Sequence, residues 1–373
     1  MGEDFRSTMR ARLTRALDDA ELRAASRGLA ARVRLICGDE TVDLLFAQDG
    51  AFRWMPAEER SPADVTVAAP PSVWTRILAA VPPPRHQSFT ALQLANPEAS
   101  VAGDPLSVAQ ARPALERLFE VLRPPVVFLH TAGADARQFG ALLSDVALAE
   151  RWRLLAFDCP FHGRSLPPLD WDGGAYSLEG RRYADWVCAF LETVVGGPAI
   201  LVGCSMGAAM ALTVAAERPD LLRGVIALEA PLRSPGRRNP FLAHAAVSGG
   251  LHNSAYVRGL MSPTSPEGWR RRAAWIYAQG GPGIYAGDLA FYSDEFDGTQ
   301  VAPRIDARNL PVRLLTGTYD YSATVADGAA LAALMPGSVF AEMPGLGHFP
   351  MSENPDLFRP HLVRALEALR PAA

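Results

Sequence analysis

One serine lies between two glycines in residues 203–207 (GCSMG). The apolar run at residues 199–202 before it and the alanine-rich stretch after it predict a buried strand, a sharp turn and a helix. Glycines on both sides of such a turn let the strand and the helix approach closely, and the helix N-terminus favours negative charge beneath the serine. The pattern therefore predicts that Ser205 is a nucleophile raised above the carboxyl end of a strand.

Two later residues could activate this serine. Asp320 follows the apolar run at residues 312–315, and His348 lies in a glycine-rich loop after a strand predicted at 338–343. A serine hydroxyl is a weak nucleophile until a neutral imidazole can take its proton, and a carboxylate can hold that imidazole in the required tautomer. We therefore expect Ser205 as nucleophile, His348 as general base and Asp320 as the acid that orients the base.

Three other residues compete for these roles. Glu229 follows a strand predicted at residues 224–228 and is an alternative acid. His361 falls within a predicted C-terminal helix, residues 354–369, where a surface position is expected. Cys204 adjoins the serine but points elsewhere at such a turn, so a thiol mechanism is not expected.

The composition is that of a folded chain without nucleic-acid partners. Hydrophobic residues make up 49% and charged residues 20% of the 373 residues, so a buried core is expected. The net charge is −4 and the basic residues are scattered, which excludes nucleic-acid binding. The four cysteines have neither a disulfide framework nor a metal-binding spacing, which predicts reduced thiols and a cytoplasmic location. No metal ion or organic cofactor is implied.

Neither end of the sequence nor its middle has the character of a membrane segment. The N-terminus is charged and lacks the apolar run of a secretory signal. No stretch of about 18 apolar residues occurs, so no membrane-spanning helix is expected. We expect no stable membrane association, and a homo-oligomer is left open.

The proline pair at residues 124–125 predicts a domain boundary, with one domain over residues 1–123 and a second over 124–373. After the boundary, strand and helix patterns alternate, which predicts an α/β fold. Before it, short strands and helices predict a smaller α+β domain. Its helices are expected at 4–29, 71–80 and 105–122, and its strands at 31–37, 41–47, 51–55, 64–69 and 99–102, with a hairpin turn at Gly38-Asp39.

About eighty residues between the strands at 224–228 and 312–315 lack this alternating rhythm. The segment, about 232–308, is too long for a loop, so we expect a mostly helical lid. It is rich in aromatic residues, some of which must face the site and form an apolar or aromatic pocket. We expect Trp275 of this segment, and Tyr321 beside the predicted acid, to contact substrate.

Residues 124–373 resemble the α/β-hydrolase superfamily, through GCSMG, DCPFHGRS at 158–165 and GLGHFPMSENP at 345–355. The order of serine, acid and histidine is also the one this fold requires. The resemblance implies a mostly parallel sheet with a helical lid. It is closest in character to the branch that contains carboxylesterases, lactonases and hydrolases of carbon–carbon bonds.

The segment HTAGADARQF, residues 130–139, resembles the loop that supplies one oxyanion donor in this superfamily. The resemblance implies the backbone N–H of Ala132 as that donor, paired with the N–H of Met206. Thr131 stands where these loops usually have glycine. Further pocket residues are expected at Gly133, His130 and His162, although His130 is interpreted first as a structural histidine that anchors the loop.

The N-terminal domain resembles the sterol-carrier-protein-like fold, through its order of elements, ADVTVAAPPSVWTRIL at 63–78 and ASVAGDPLSVAQ at 99–110. This resemblance implies an apolar tunnel for lipids. The alternative is that aromatic side chains simply pack a core, which is the commoner use of such residues in a small domain. We favour the alternative for four residues: Phe46, Phe52, Trp54 and Trp74.

Together these features predict a serine hydrolase that cleaves a medium-sized, apolar carboxylic ester or lactone through an acyl-enzyme. One alternative is a carbon–carbon hydrolase acting on a diketone or dienoate of the ring-fission type. A second alternative is a lipid-binding or transfer protein without catalysis. The sequence does not separate the first two, because both use the same nucleophile and base.

Overall fold

A computed structural model describes residues 9, 12–14, 16–17, 19–56, 61–78, 82–83, 85–149 and 151–369. The chain divides into two compact units. The first comprises Met1–Pro125, Ala149–Arg153 and Leu191–Gly197, and the second comprises Val126–Leu148, Leu154–Phe190 and Pro198–Ala373. None of the described helices combines the length and the apolar character needed to cross a bilayer.

The first unit is built on a mixed five-stranded sheet of order β3-β2-β1-β4-β5. Strand β1 pairs with β2 in an antiparallel hairpin that turns at Gly38-Asp39, and it pairs with β4 in parallel. The strands are β1 (Ala31–Cys37), β2 (Glu40–Phe46), β3 (Phe52–Pro56), β4 (Val65–Ala69) and β5 (Ser100–Gly103). The predicted strands are therefore all present, each within two residues of its expected bounds.

The helices of this unit follow the prediction less closely. They are α1 (Ala20–Ala25), α2 (Pro71–Ile77), α3 (Phe89–Ala95) and α4 (Pro105–Val121). Helix α3 was not expected, although Ser88 caps it by accepting a hydrogen bond from the Ala91 N–H. Of the helix expected over 4–29, residues 4–8, 10–11, 15 and 18 lie outside the described residues.

The aromatic residues of this unit belong to its core, in agreement with the interpretation favoured from the sequence. Phe46 and Trp74 are buried, and Phe52 and Trp54 pack against the same cluster. The Phe46 and Phe52 rings stack with centroids 5.4 Å apart. The Trp74 indole donates to the Ile36 carbonyl at 2.6 Å, which satisfies the only polar atom of that side chain.

The second unit carries a six-stranded sheet of order β11-β10-β9-β8-β6-β7. The pairs β6–β8, β8–β9, β9–β10 and β10–β11 are parallel. Strands β6 and β8 are buried along their whole length, which explains their continuous apolar sequences. The strands are β6 (Pro125–Leu129), β7 (Arg153–Ala156), β8 (Ala199–Cys204), β9 (Leu222–Leu228), β10 (Val312–Gly317) and β11 (Val339–Met343).

Helices connect these strands in the manner of an α/β fold. They are α5 (Gly140–Leu143), α6 (Val146–Ala149), α7 (Gly180–Phe190), α8 (Met206–Glu217), α9 (Gly249–Leu260), α10 (Glu267–Ala278), α11 (Ile284–Leu289), α12 (Gly298–Val301), α13 (Val325–Leu334), α14 (Pro350–Glu353) and α15 (Pro355–Ala368). Residues 232–308, here called the insertion segment, contain α9 to α12 and a π-helical turn at Ala290–Glu295. The expected helical character of this segment is therefore observed.

Candidate active site

Ser205 lies at a strained turn between β8 and α8. Its backbone has φ 55° and ψ −114°, a conformation with positive φ that residues with a side chain rarely adopt. A Cβ on Gly203 would lie 2.0 Å from the Gly207 carbonyl oxygen, and a Cβ on Gly207 would lie 2.3 Å from the Leu129 carbonyl oxygen. The two glycines therefore allow the close approach of strand and helix, as the sequence pattern predicts.

The structure brings the three predicted catalytic side chains together. The Ser205 hydroxyl oxygen lies 2.8 Å from His348 Nε2, and His348 Nδ1 lies 2.6 Å from Asp320 Oδ2. All three residues are buried. The second carboxylate oxygen of Asp320 accepts from the backbone N–H groups of Ser322, at 2.7 Å, and Ala323, at 3.2 Å, so the carboxylate has a fixed orientation.

Glu229, the alternative acid, lies behind Asp320. Burial and the nearby Asp320 raise the pKa of Glu229 well above its ordinary value, which favours the protonated form as hydrogen-bond donor to the Asp320 carboxylate. Its oxygens also accept from the Gly317 N–H at 3.0 Å. Burial works against ionisation of Asp320 as well, but His348 and the hydrogen bonds from its neighbours hold the pKa of Asp320 below its ordinary value. Asp320 is thus the ionised partner of the imidazole.

A small cavity opens at Ser205, with a volume of about 20 Å³ for the centre of a water-sized sphere. Most of the lining belongs to the insertion segment. The lining residues are Thr131, Ala132, Ser205, Arg237, Tyr256, Val257, Leu260, Tyr277, Tyr285, Leu289, Tyr292, His348 and Phe349.

The alpha/beta hydrolase family matches residues 126–360, which are well over half of the chain. The chain belongs to this family. Within it, the chain is similar to 2-(acetamidomethylene)succinate hydrolase from Mesorhizobium japonicum, with 34% identity over 106 residues. This match covers 28% of the chain and 35% of the relative, so the chain matches about a third of that protein's length.

Solved structures of hydrolases share the fold of the second unit at low sequence identity. The enol-lactonase from Burkholderia xenovorans LB400 has a TM-score of 0.56 and 22% identity, covering 65% of this chain and 91% of its own. An esterase from Thermogutta terrifontis has a TM-score of 0.53 and 21% identity, covering 66% and 91%. Est816, an N-acyl homoserine lactone degrading enzyme, has a TM-score of 0.53 and 21% identity, covering 65% and 92%.

In this hydrolase, the loop after β6 is fixed by the threonine that replaces the usual glycine. The N–H and the hydroxyl of Thr131 both donate to the Gln138 side-chain oxygen at 3.1 Å. The same hydroxyl bonds the hydroxyl of Tyr277, to which the Gln138 amide also donates at 3.2 Å. The Ala132 N–H, which follows directly, has no hydrogen-bond acceptor within the described part of the chain. Met206 is the first residue of α8, where N–H groups have no partner inside the helix.

His130 is a buried structural residue and does not line the cavity. Its Nδ1 donates to the Thr131 carbonyl at 3.0 Å, and its Nε2 accepts from the Cys159 N–H at 3.1 Å. Burial lowers the pKa of His130 to about 4, so the ring is neutral and both nitrogens are occupied. The interpretation as a loop anchor, which was favoured from the sequence, fits these contacts, and the substrate contact stays a prediction.

Gly133 and His162 also lie outside the cavity lining. Both form hydrogen bonds to Asp288 of α11. The Asp288 carboxylate accepts from the Gly133 N–H at 2.7 Å, from His162 Nε2 at 2.9 Å and from the Tyr176 hydroxyl at 2.7 Å. Burial opposes a charge on His162, yet the Asp288 carboxylate outweighs it and raises the pKa of His162. These residues clamp the loops around the site, and their expected contact with substrate stays a prediction.

Trp275 and Tyr321 are on the outer surface. Trp275 is half-exposed, and the Arg137 guanidinium covers its ring at 5.0 Å from the centroid. Tyr321 is 66% exposed, and its hydroxyl donates to the Gly259 carbonyl at 3.2 Å. Neither residue lines the cavity. The helix that carries Trp275 buries its other face, through residues such as Ile276 and Tyr277.

Two polar residues that line the cavity, Tyr292 and Arg237, were not singled out from the sequence. The hydroxyl of the buried Tyr292 lies 3.1 Å from Ser205 Oγ, within hydrogen-bonding distance. The guanidinium of Arg237 lies 5.7 Å from the centre of the Tyr292 ring. Tyr292 was one of many aromatic residues in the insertion segment, and nothing in the sequence distinguishes Arg237 from the neighbouring Arg238.

Glu353 holds the loop that carries the histidine. Its buried Oε1 accepts from the N–H groups of Gly347, at 2.7 Å, and Ser262, at 3.1 Å, and from the Ser265 hydroxyl at 2.9 Å. The His348 N–H donates to the Leu260 carbonyl at 3.1 Å. The histidine loop and the insertion segment therefore form one hydrogen-bonded network. Within the described ranges, no cluster of three or more His, Cys, Asp or Glu side chains is arranged to hold a metal ion.

Proposed function

We propose that the protein is a serine hydrolase that cleaves a carboxylic ester or lactone through an acyl-enzyme intermediate. The observation that carries the proposal is the continuous hydrogen-bonded chain from Ser205 through His348 to Asp320, with contacts of 2.8 and 2.6 Å. A nucleophile, a base and an acid at hydrogen-bonding distance, at the mouth of a cavity, are the parts that acyl transfer requires.

In the first step, the Ser205 oxygen attacks the substrate carbonyl carbon while His348 Nε2 takes the hydroxyl proton. Asp320 is ionised and stabilises the imidazolium that forms. The tetrahedral intermediate then collapses, the bond to the leaving oxygen breaks, and His348 returns the proton to that oxygen. An ester substrate gives a free alcohol and an acyl ester on Ser205. A lactone substrate gives an acyl ester on Ser205 that still carries the released hydroxyl.

In the second step, water repeats the sequence on the acyl-enzyme. His348 takes a proton from the water, the hydroxyl adds to the acyl carbon, and collapse returns the proton to Ser205. The oxyanion formed in both steps would accept from the N–H groups of Ala132 and Met206. Each such donor is worth about 3–4 kcal/mol in the transition state.

The choice of an ester or lactone rests on the cavity and on the similar proteins. Aliphatic and aromatic side chains of the insertion segment supply most of the lining, so the segment is proposed as a lid over the acyl group. The chain shares its fold with an enol-lactonase, an esterase and an enzyme that degrades an N-acyl homoserine lactone.

The proposal is tested with 4-nitrophenyl butyrate and a fluorophosphonate probe. We expect turnover and labelling of Ser205 in the wild type, and loss of both in Ser205→Ala. Ser248→Ala is a matched control, because Ser248 begins α9 without a side-chain hydrogen bond to the helix. Equal turnover by wild type and Ser205→Ala would exclude the mechanism. Turnover of a diketone without turnover of any ester would instead indicate a carbon–carbon hydrolase.

A further inference from the structure

The cavity at Ser205 contains a cation and no acidic side chain. Arg237 is the one arginine or lysine among the described lining residues, and none of those residues is an aspartate or glutamate. The rest of the lining is small, aliphatic or aromatic, apart from Ser205, Thr131 and His348. A half-buried positive charge in such surroundings is unfavourable unless an anion or strong acceptors compensate it.

The protein itself compensates Arg237 only in part. One terminal nitrogen of its guanidinium donates to the Ser322 carbonyl at 2.8 Å, and its backbone N–H donates to Ser293 Oγ at 3.1 Å. Within the described ranges its guanidinium makes no other hydrogen bond to the protein, and no carboxylate lies within 4.0 Å of it there. A guanidinium has five N–H donors, so most of its capacity to bind an anion is unused.

The neighbouring arginines provide a contrast on the same segment. Arg233 is exposed and forms an ion pair with Asp297, and Arg238 is exposed and forms an ion pair with Asp294 at 3.1 Å. Arg237 lies between these two in sequence but faces the cavity and lacks such a partner among the described residues. The unpaired arginine is therefore the one that faces the cavity.

Arg237 is also close to the reacting atoms. The guanidinium lies 5.7 Å from the centroid of the Tyr292 ring, and the hydroxyl of Tyr292 lies 3.1 Å from Ser205 Oγ. Tyr292 therefore contacts both the cation and the nucleophile, and all three residues line one cavity. An anionic group a few bonds from the scissile carbonyl could reach the guanidinium while the carbonyl lies at Ser205.

We propose that Arg237 binds a carboxylate of the substrate, so that the natural substrate is an ester, lactone or other acyl compound that also carries a carboxylate group. The planar guanidinium can donate two parallel hydrogen bonds to a carboxylate, which fixes both position and orientation. The inference rests on the proposed function of Ser205. It replaces the purely apolar substrate expected from the sequence with an amphiphilic one.

Two pairs of esters that differ only in charge test this specificity. The first pair is 4-nitrophenyl hydrogen glutarate and its methyl ester, with the charge on the acyl side. The second pair is 3-acetoxybenzoate and its methyl ester, with the charge on the alcohol side. The measured quantity is the ratio of kcat/KM for the charged member to kcat/KM for the methylated member, corrected for spontaneous hydrolysis. The proteins are wild type, Arg237→Gln, Arg237→Lys and Arg238→Gln.

We expect Arg237→Gln to lower this ratio about 10- to 100-fold in at least one pair, since a charge-assisted hydrogen bond contributes that much. Arg237→Lys should keep part of the ratio, because it keeps the charge without the planar fork. Arg238→Gln should leave the ratio at the wild-type value. An equal loss on both members of each pair would show that Arg237 only supports the fold, and an unchanged ratio in both pairs would also overturn the inference.

Failure of the proposed function would look different. Wild-type protein would then hydrolyse none of the four esters, or Ser205→Ala would hydrolyse them at the wild-type rate. In contrast, Ser205-dependent hydrolysis with a ratio that is independent of Arg237 would leave the serine hydrolase in place and remove only the carboxylate site.

Discussion

Two buried histidine–aspartate pairs lie in the second unit, and their difference shows what makes such a pair catalytic. In one, His348 Nδ1 contacts Asp320 Oδ2 at 2.6 Å, and in the other, His162 Nε2 contacts Asp288 Oδ2 at 2.9 Å. The free nitrogen of His348 reaches the Ser205 hydroxyl at 2.8 Å. The second nitrogen of His162 is bound to the Pro160 carbonyl at 3.0 Å.

The third partner therefore decides the use of each pair. A proton can pass between Ser205 and His348, because the imidazole has an acceptor nitrogen directed at a hydroxyl. His162 has no such freedom, since both nitrogens are engaged, and its aspartate also binds the Gly133 N–H and the Tyr176 hydroxyl. We infer that the same two residue types supply a base in one place and a loop clamp in the other.

The sharpest test of this comparison is to replace the histidine of the catalytic pair. His348→Gln should lower kcat for 4-nitrophenyl butyrate by about 10⁴- to 10⁶-fold, because no other described group can take the Ser205 proton. His361→Gln is the control, since His361 lies on α15, away from the cavity lining, and should keep wild-type kcat. A loss below tenfold in His348→Gln would show that the two histidines do not differ in the way we infer.

Replacing the aspartate of the catalytic pair should have the next largest effect. Asp320→Asn should lower kcat by about 10³- to 10⁴-fold, because the amide favours the wrong imidazole tautomer and cannot stabilise the imidazolium. Glu229 remains bound to the Gly317 N–H, and within the described residues it makes no hydrogen bond to His348. Near wild-type kcat in Asp320→Asn, combined with a large loss in Glu229→Gln, would reverse the assignment of the acid.

The same substitution in the clamp should act mainly on stability. Asp288→Asn places an amide NH₂ against hydrogen-bond donors, so it should lower the free energy of unfolding by about 3–5 kcal/mol. It should lower kcat by about 10- to 100-fold, because the loop next to Ala132 loses its anchor. Asp294→Asn is the matched control, since the exposed ion pair that it removes contributes about 0–1 kcal/mol. Urea unfolding and ester kinetics on the three proteins check this prediction.

The smallest expected effect is a dependence of stability on pH that comes from the clamp. The pKa of His162 is raised in the folded protein, so its ion pair with Asp288 stabilises the fold fully below the ordinary histidine pKa, about 6.5. That contribution is lost as the pH rises through the raised pKa. The difference in unfolding free energy between wild type and His162→Gln should therefore be larger at pH 6 than at pH 9. A difference that grows with pH would mean that His162 is neutral in the clamp.

Much of the fold could be predicted from local patterns in the sequence. Continuous apolar runs identified β6, β8 and β9, and alternating runs identified the strands of the first unit, because burial on one or both faces determines these patterns. Helix α3 was missed although Ser88 supplies a capping signal, because its short apolar pattern is interrupted. The resemblance of residues 1–123 to sterol-carrier proteins stays a prediction.

The residues that the sequence determined are those fixed by backbone geometry. Gly203 and Gly207 must lack side chains, and the order of Ser205, Asp320 and His348 follows from the ends of successive strands that meet at one edge of a sheet. Only the tertiary structure decided which side chains of the insertion segment meet that edge. Arg237 and Tyr292 reach the cavity while Arg238 and Trp275 face outward, because the packing of helices against one another, and not any local period, sets these directions. The hydrogen-bond partners of the buried carboxylates were also decided by the tertiary structure, because these partners are far apart along the chain.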